Sequence, residues 1–341
     1  MFRDVRIMHE DMYQELKEYY GNVLEESKDL KSNVSCCAAD SVPPEIKDII
    51  ADLRKEVVEK FYGCGFPIPP LLEGCIVLDL GSGTGRDAYI ASKLVGESGN
   101  VIVVDMTEKQ IAVAEKHVDW HMNRFGYTRT NIDFREGYIE DIEAVGIEDN
   151  SIDVVISNCV INLSLDKQKV FREIFRVLKP GGELYFSDMF ASRRIPKNLR
   201  SDPVLYRDGF WGALYIEDFR RLMKKAGFYD YKVVSDFEVQ TTSPDITSKI
   251  DVLNSPFHSR TIRAFELIDL EDAYENYGQI ATYSGTIPGH PHRFELDNHH
   301  EFVTGKPVSI CGNTASMLQS TRYAKHWIVT GDRSVHYGAF G

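Results

Sequence analysis

The segment from residue 75 to residue 105, CIVLDLGSGTGRDAYIASKLVGESGNVIVVD, constrains the fold more than any other part of the chain. Two apolar runs, at 75–80 and 101–104, enclose a glycine-rich turn and a stretch of helical character, and the second run is followed by Asp105. This order of strand, glycine-rich turn, helix, strand and carboxylate is how a parallel α/β sheet holds a nucleotide-like cofactor.

The same alternation continues beyond this segment. Helix-like stretches between apolar strands predict parallel βαβ units with right-handed crossovers. We predict strands at 75–80, 101–105, 131–135, 152–157, 182–188 and 231–239, and helices at 86–96, 107–125, 166–178 and 215–226.

The flanking regions differ from this core. Helical periodicity precedes it at 5–31 and at about 44–62, with a loop of small residues between the two stretches. After about residue 240 the chain is dense in glycine, proline and histidine with short apolar runs, which predicts a small β-rich domain. We therefore expect an N-terminal helical and cysteine-loop segment at 1–70, a cofactor-binding domain at 71–239 and a C-terminal domain at 240–341.

Composition and charge narrow the classes of partner. The formal net charge of −13 opposes nucleic-acid binding, and no apolar stretch reaches the roughly 18 residues that span a bilayer. The charged N-terminus lacks the apolar core of a secretory signal, so we expect a cytoplasmic protein. We also expect a monomer. In the cytoplasm, the six cysteines are expected to be free thiols rather than members of structural disulfides. Without a CxxC pair or compact histidine spacing, we predict no metal site.

The glycine-rich turn favours one cofactor over another. A dinucleotide site usually spaces its glycines as GxGxxG, whereas here the run is GSGTG with Asp79 two positions ahead of it. A carboxylate there can pair with a cationic amino-acid group, which fits S-adenosylmethionine better than NAD. Asp105 can accept hydrogen bonds from two ribose hydroxyls. The alternative is a tight turn without a ligand. The candidate cofactor-binding residues of this segment are Asp79, Gly81, Ser82, Gly83, Gly85 and Asp105.

Two further motifs follow predicted strands. GYIED comes after the third strand, where Ile139 suits an adenine ring and Glu140 its amino group; the alternative is an acidic surface turn. Asn158 and Cys159 come at the carboxyl end of the fourth strand, the edge where open α/β sheets place their chemistry. For Cys159 the alternative is a small buried apolar residue.

Three more cysteines lie ahead of the first strand of the sheet, in two loops. Cys64 stands between two glycines in FYGCG, which give its backbone freedom and access. Cys36 and Cys37 are adjacent in the loop of small residues. Neighbouring cysteines rarely bond each other, so one of them could pair with a distant thiol, or both could be incidental.

Together these segments resemble the arsenite S-adenosylmethionine methyltransferase family, which has a class I methyltransferase fold with extra N- and C-terminal parts. The resemblance is close over about residues 10–240 and rests on FYGCG, VLDLGSGTGRD, VVDMTEKQIAVAEKH, GYIEDI and SNCVINLS. It implies an α/β, Rossmann-like, mostly parallel seven-stranded sheet and S-adenosylmethionine as cofactor. The cofactor-binding positions that it implies are Tyr62, Gly81, Arg86, Asp105, Met106, Gln110, Ile139, Glu140 and Asn158.

The resemblance also implies roles for the cysteines. Cys64 and Cys159 would be substrate thiolates, and Cys36 or Cys37 would form a disulfide with Cys64 during turnover. A thiol reductant of the glutathione or thioredoxin type would then be a partner. The family normally has another cysteine in a segment reading GECLGGALY, where this chain has Gly209 within RDGFWGALY.

This departure leaves three interpretations of the methyl acceptor. Trivalent arsenic is soft and takes thiolate ligands, and two cysteines would suit a species that already carries one organic group. Phe210 and Trp211 are compatible with a site converted to an organic acceptor, or with core packing. A protein that binds cofactor and metalloid without turnover is the third interpretation. We expect a methyltransferase that acts on arsenite or methylarsonous acid.

Overall fold

The computed structural model describes residues 2–24, 42–196, 209–239, 247–248 and 255–341. The strands of its main sheet are β1 (Ile76–Leu80), β2 (Asn100–Asp105), β3 (Ile132–Glu136), β4 (Ile152–Asn158), β5 (Leu178–Ala191), β6 (Leu214–Tyr215), β7 (Tyr231–Glu238) and β8 (Phe257–Phe265). Seven of them follow the order β3-β2-β1-β4-β5-β8-β7, and β6 pairs with β5. The first five are parallel, and β8 is antiparallel to both of its neighbours. The predicted α/β class with a mostly parallel, Rossmann-like sheet is confirmed.

Helices cover both faces of this sheet because its strands are apolar on both sides. In β1 the side chain of Val77 packs on one face and those of Leu78 and Leu80 on the other. The helices of this region are α1 (Phe2–Glu18), α2 (Pro44–Ala51), α3 (Lys55–Glu59), α4 (Arg86–Val95), α5 (Glu108–Glu115), α6 (Val118–Phe125), α7 (Lys167–Val177) and α8 (Ile216–Ala226). The first face is covered by α2, α4 and α6, and the second by α7 and α8.

Two of the predicted helices are each divided by a tertiary contact. The stretch 44–62 forms α2 and α3, because Arg54 is extended between them and its backbone N–H donates to His121 Nε2 at 3.2 Å. The stretch 107–125 forms α5 and α6, which meet near His117, whose Nε2 lies 2.9 Å from Glu56 Oε2. Both contacts join segments far apart in the chain, so periodicity alone does not predict them.

The last part of the predicted helix at 5–31 lies outside the described residues, whose first range ends at Leu24. Within that range, α1 ends at Glu18 and a π-helical turn continues to Val23. The loop with Cys36 and Cys37 lies outside the described residues, so their predicted roles stay predictions.

The C-terminal part has its own small sheets and core. Its antiparallel strands are β9 (Gln279–Tyr283), β12 (Pro307–Ile310) and β13 (Trp327–Thr330), in the order β12-β9-β13, with β10 (Arg293–Glu295) and β11 (Glu301–Val303) as a separate pair. Helix α9 (Gly312–Gln319) packs with them around a shared apolar core. None of the helices in the described ranges has the length and apolar character that a bilayer crossing requires.

The junction of the two parts is tied by buried charge. β8 comes from beyond residue 240, yet it pairs between β5 and β7 in the main sheet. Its Arg263 forms a buried ion pair with Glu183, and Arg322 of the C-terminal part also contacts Glu183. We therefore propose that the C-terminal domain begins after β8 rather than at residue 240.

Candidate active site

The glycine-rich turn after β1 takes a backbone conformation that only glycine adopts readily. Gly81, Gly83 and Gly85 all have positive φ, at 73°, 57° and 86°. A Cβ on Gly81 would lie 2.3 Å from Val160 Cγ1, so the turn also needs space there. The N–H of Gly83 donates to Asp105 Oδ2 at 2.9 Å, which ties the turn to the end of β2.

A cavity lies above this turn, at the carboxyl edge of the sheet. Most of the sequence-predicted cofactor residues line this cavity. Gly85 does not: it immediately precedes α4, and a Cβ on it would lie 3.2 Å from Ala114 Cβ. Arg86 is not in its wall: the guanidinium lies 3.4 Å from the ring centre of Phe61, and Nε is 3.0 Å from Asp87 Oδ1. The predicted residues that line the cavity are Tyr62, Asp79, Gly81, Ser82, Gly83, Asp105, Met106, Gln110, Ile139, Glu140, Asn158 and Cys159.

One end of the cavity is strongly acidic. Burial, reinforced by the carboxylates of Asp87 and Asp105, raises the pKa of Asp79 well above its usual range. The Oδ2 atom of Asp79 is buried without a hydrogen-bond partner among the described residues. Burial also raises the pKa of Asp105, although the N–H groups of Gly83 and Thr107 donate to it and oppose the shift. A buried, uncompensated carboxylate of this kind fits a positively charged group in the cavity.

Helix α1 and the π-helical turn close another side of the cavity. Tyr13, Leu16 and Tyr20 line it, and the Tyr13 hydroxyl donates to Glu140 Oε1. The side-chain amide of Gln110 donates to the Tyr20 carbonyl at 2.5 Å. Sequence reasoning missed these three residues as site residues, because their segment lies some sixty positions ahead of the glycine turn. The helical spacing of apolar residues in this segment is the one sequence signal that one of its faces packs against another part of the protein.

Cys64 and Cys159 are joined by a disulfide, with their Cα atoms 5.7 Å apart. The expectation that all the cysteines are thiols is therefore wrong for this pair. The physical reason is tertiary: Cys159 follows β4, its N–H donates to Ser187 O at 2.8 Å, and the loop with Cys64 crosses the same edge of the sheet. Cys75 and Cys311 are free thiols. Cys159 lines the cavity and Cys64 is buried beside it.

The segment 209–211 packs beside this disulfide. Gly209 is buried with φ of 82°, and its carbonyl accepts from Asn162 Nδ2 at 2.8 Å. Phe210 and Trp211 belong to the apolar cluster that contains Cys64, and the Phe210 ring packs edge-on against Phe257 with the ring centres 5.1 Å apart. Neither aromatic residue lines the cavity, so their observed role is core packing.

Comparison with known proteins decides the family. One family model, described as a methyltransferase domain, matches residues 71–227, and another, described as the arsenite methyltransferase C-terminal domain, matches residues 277–336. The chain is 49% identical to an arsenite methyltransferase from Aquipseudomonas alcaligenes, over 96% of this chain and 94% of that protein. The chain belongs to the arsenite methyltransferase family.

Two further relatives agree. The human arsenite methyltransferase is 39% identical over 94% of this chain and 84% of its own length. The crystal structure of an arsenic(III) S-adenosylmethionine methyltransferase from Chlamydomonas reinhardtii has a TM-score of 0.85 at 48% identity, covering 88% of this chain and 100% of that chain. The sequence-based identification of the family and of the class I methyltransferase fold is confirmed.

As a member of this family the protein is an S-adenosylmethionine-dependent methyltransferase. The geometry fits that cofactor. The uncompensated carboxylate of Asp79 suits the ammonium group of its amino-acid part, and Ile139 offers an apolar contact on another wall of the cavity.

Proposed function

We propose that this methyltransferase acts on trivalent arsenic held by the thiolates of Cys64 and Cys159. The observation that carries the proposal is their position: the two sulfur atoms are bonded to each other, and Cys159 borders the cofactor cavity. Trivalent arsenic is a soft centre, and thiolates are the protein ligands that suit it.

The geometry of the cavity also supports roles for individual cofactor-binding residues. We propose that Asp79 pairs with the amino group of the cofactor, Asp105 accepts hydrogen bonds from the ribose hydroxyls, and Ile139 packs against the adenine ring. Glu140 remains the proposed partner of the adenine amino group; its Oε1 also accepts from Tyr13 and Ser164. When bound, S-adenosylmethionine supplies an electrophilic methyl group.

The cysteine pair has to be reduced before it can bind arsenic. Two molecules of an external thiol, RSH, give up two electrons and two protons, so that one disulfide RSSR leaves and two cysteine thiols form. This requirement supports a glutathione- or thioredoxin-type reductant as partner, and a cytoplasmic location, where such reductants maintain thiols. The proposed exchange of Cys36 or Cys37 with Cys64 would provide an internal route for the same electrons.

Two thiolates favour a substrate that already carries one organic group. Methylarsonous acid, CH3As(OH)2, exchanges both hydroxyls for Cys64 and Cys159 and releases two water molecules. Electron donation from the sulfur atoms then makes the arsenic lone pair a better nucleophile. Arsenite needs a third ligand, and Gly209 offers no side chain to supply one. We therefore propose methylarsonous acid as the preferred substrate and arsenite as a slower one that recruits an external thiol.

The test is a turnover assay with S-adenosylmethionine, glutathione and either arsenical, in which methylated arsenic is measured. We expect product from both, with faster turnover of methylarsonous acid. Cys64→Ser and Cys159→Ser should each lower turnover by at least about 1,000-fold, because only one thiolate then remains and a single thiolate does not hold arsenic in position. The matched control is Cys311→Ser: Cys311 is far along the chain, in the C-terminal part, and its side chain caps α9, a role that serine can fill.

Two results would contradict the proposal. The first is no methylated arsenic from either arsenical with the wild-type enzyme. The second is undiminished turnover in either serine variant of the pair, which would mean that the thiolates are not the arsenic ligands.

A further inference from the structure

The side chain of Asn158 spans two parts of the active site. Its Oδ1 accepts from the N–H groups of Cys64 and Gly65, at 3.0 and 3.2 Å. Its Nδ2 donates to the Gly65 carbonyl at 3.0 Å and to Asp87 Oδ2 at 2.7 Å. A carboxamide has two N–H donors and two acceptor positions on its oxygen, and all four are used here by the protein itself.

The glycines that flank Cys64 are fitted to this contact. A Cβ on Gly63 would lie 2.5 Å from Asn158 Nδ2, and a Cβ on Gly65 would lie 2.4 Å from Ser187 Oγ. The loop therefore lies directly against the ends of β4 and β5 because it carries no side chains at those two positions. The next residue after Asn158 is Cys159, so one amide group fixes the backbone of Cys64 beside the other member of the pair.

The other end of the amide reaches the cofactor cavity. Asp87, which accepts from Asn158 Nδ2, lines that cavity and is also paired with Arg86. Asn158 thus connects the backbone of the Cys64 loop to a carboxylate of the acidic end. The resemblance to the family assigned Asn158 to the cofactor alone, but its hydrogen-bonding groups are directed to the loop and to Asp87.

We propose that Asn158 is a positioning residue that holds Cys64 next to Cys159, so that the reduced pair can bind one arsenic atom. The proposal rests on the proposed function for the nature of the bound atom. Without the amide, the loop keeps the hydrogen bond from Ser259 Oγ to the Cys64 carbonyl, at 2.7 Å, but loses its attachment to β4. Two thiols that are not held together lose the advantage of binding one atom as an intramolecular pair.

The test measures binding rather than turnover. The reduced protein is titrated with phenylarsonous acid, whose arsenic has two exchangeable hydroxyls and therefore needs two neighbouring thiols, and separately with S-adenosylhomocysteine. The variants are Asn158→Ala, and Asn158→Asp, which keeps the shape and an acceptor oxygen but loses both donors.

The matched control is Asn131→Ala. Asn131 is a buried amide whose side chain makes three hydrogen bonds, to Ser92 and Gly96, but it lies at the amino edge of the sheet. We expect Asn158→Ala to weaken phenylarsonous acid binding by at least about tenfold, the loss expected for removing hydrogen bonds of this kind. Asn158→Asp should lose as much, because its second carboxylate oxygen would face the Asp87 carboxylate and the Gly65 carbonyl. Asn131→Ala should leave arsenical binding unchanged even if its melting temperature falls as far as that of Asn158→Ala.

The pattern across the two ligands decides the proposal. It is supported if arsenical affinity falls clearly more than S-adenosylhomocysteine affinity in both Asn158 variants. It is overturned if S-adenosylhomocysteine affinity falls while phenylarsonous acid binding is unchanged, because Asn158 would then be a cofactor ligand only. It is also overturned if Asn131→Ala weakens arsenical binding equally. These results are independent of the turnover assay, so a failure of the proposed function would be seen separately.

Discussion

The cofactor cavity and the cysteine pair lie at the same edge of the sheet but are built differently. The cavity is formed mainly by short segments that each follow one parallel strand: the turn after β1, the residues after β2 and the GYIED turn after β3. The cysteine pair joins residues 95 positions apart, and its surroundings come from the loop before β1, the end of β4, the 209–211 segment and β8. One half of the site is therefore specified locally, and the other depends on long-range packing.

The first and largest expected effect comes from a substitution in the cofactor cavity, which should weaken cofactor binding without weakening arsenic binding. Asp105→Asn removes a charge and an acceptor oxygen from the cavity, and S-adenosylhomocysteine affinity should fall by about 10- to 100-fold. Phenylarsonous acid binding to the reduced cysteine pair should stay within about twofold, because the Asp105 carboxylate accepts from the N–H groups of Gly83 and Thr107, on the cofactor side of the site. Calorimetric titration with each ligand measures both effects.

The control for this experiment is Asp153→Asn. Asp153 accepts from Ile76 N and pairs with Lys179 at the opposite edge of the sheet, so neither affinity should change. A parallel loss of both affinities in Asp105→Asn would mean that the two halves are not separable.

The second effect uses buried carboxylates, which both halves contain. Asp79 lines the cofactor cavity, where we propose that a cationic group of the ligand pairs with it, whereas the carboxylate of Asp188, next to Ser187 in β5, accepts hydrogen bonds from the N–H groups of Asn162 and Met189. Burial raises the pKa of Asp188 to about 7 from an ordinary value of 3.8, so the folded state holds its proton more tightly than the unfolded state. Stability should therefore fall as pH rises from about 4 to about 7, by up to about 1 kcal/mol per pH unit, and stay level above 7.

Asp188→Asn removes this dependence. Urea unfolding at pH 5, 6, 7 and 8 should show the variant gaining stability relative to wild type up to about pH 7, with no further gain above it. A difference in free energy of unfolding that is the same at every pH would show that the carboxyl does not titrate in this window.

The third and smallest effect concerns Gly209, in the segment beside the cysteine pair. Gly209→Ala places a Cβ 2.8 Å from Asn162 Nδ2 at a residue with φ of 82°, and should lower the free energy of unfolding by about 2 kcal/mol. Gly305→Ala has a similar φ, 75°, but its Cβ would meet nothing within 4 Å, so it should cost only the backbone part, about 1 kcal/mol. Equal losses would mean that Gly209 is needed for its backbone conformation alone.

This difference between the halves also explains what the sequence could predict. The strands, the glycine turn and the carboxylates at strand ends follow from hydrophobic period and from motifs within thirty residues, and the structure has them where they are expected. The closure of the cavity by Tyr13 and Tyr20 depends on where α1 docks, which no local pattern encodes. The disulfide between Cys64 and Cys159 likewise depends on the loop that Asn158 holds.

Tertiary contacts explain the remaining differences. Arg54 breaks a predicted helix because His121 accepts its N–H. β8 lies beyond the predicted end of the cofactor-binding domain, yet it enters the main sheet because its pairing with β5 buries Ile262 and Ala264 in the core of that sheet. Phe210 and Trp211, whose bulk left open an organic acceptor, pack into the core around Cys64 instead of lining the cavity.

In the proposed reaction, Cys64 and Cys159 together hold the methyl acceptor beside the cofactor. A crystal structure of the reduced enzyme with S-adenosylhomocysteine and methylarsonous acid would show this arrangement, because arsenic can be located by its anomalous scattering. We predict one arsenic atom within bonding distance, about 2.3 Å, of both Cys64 Sγ and Cys159 Sγ, at the edge of the cofactor cavity. Arsenic bound to only one of these sulfur atoms, or to a different group, would contradict the account.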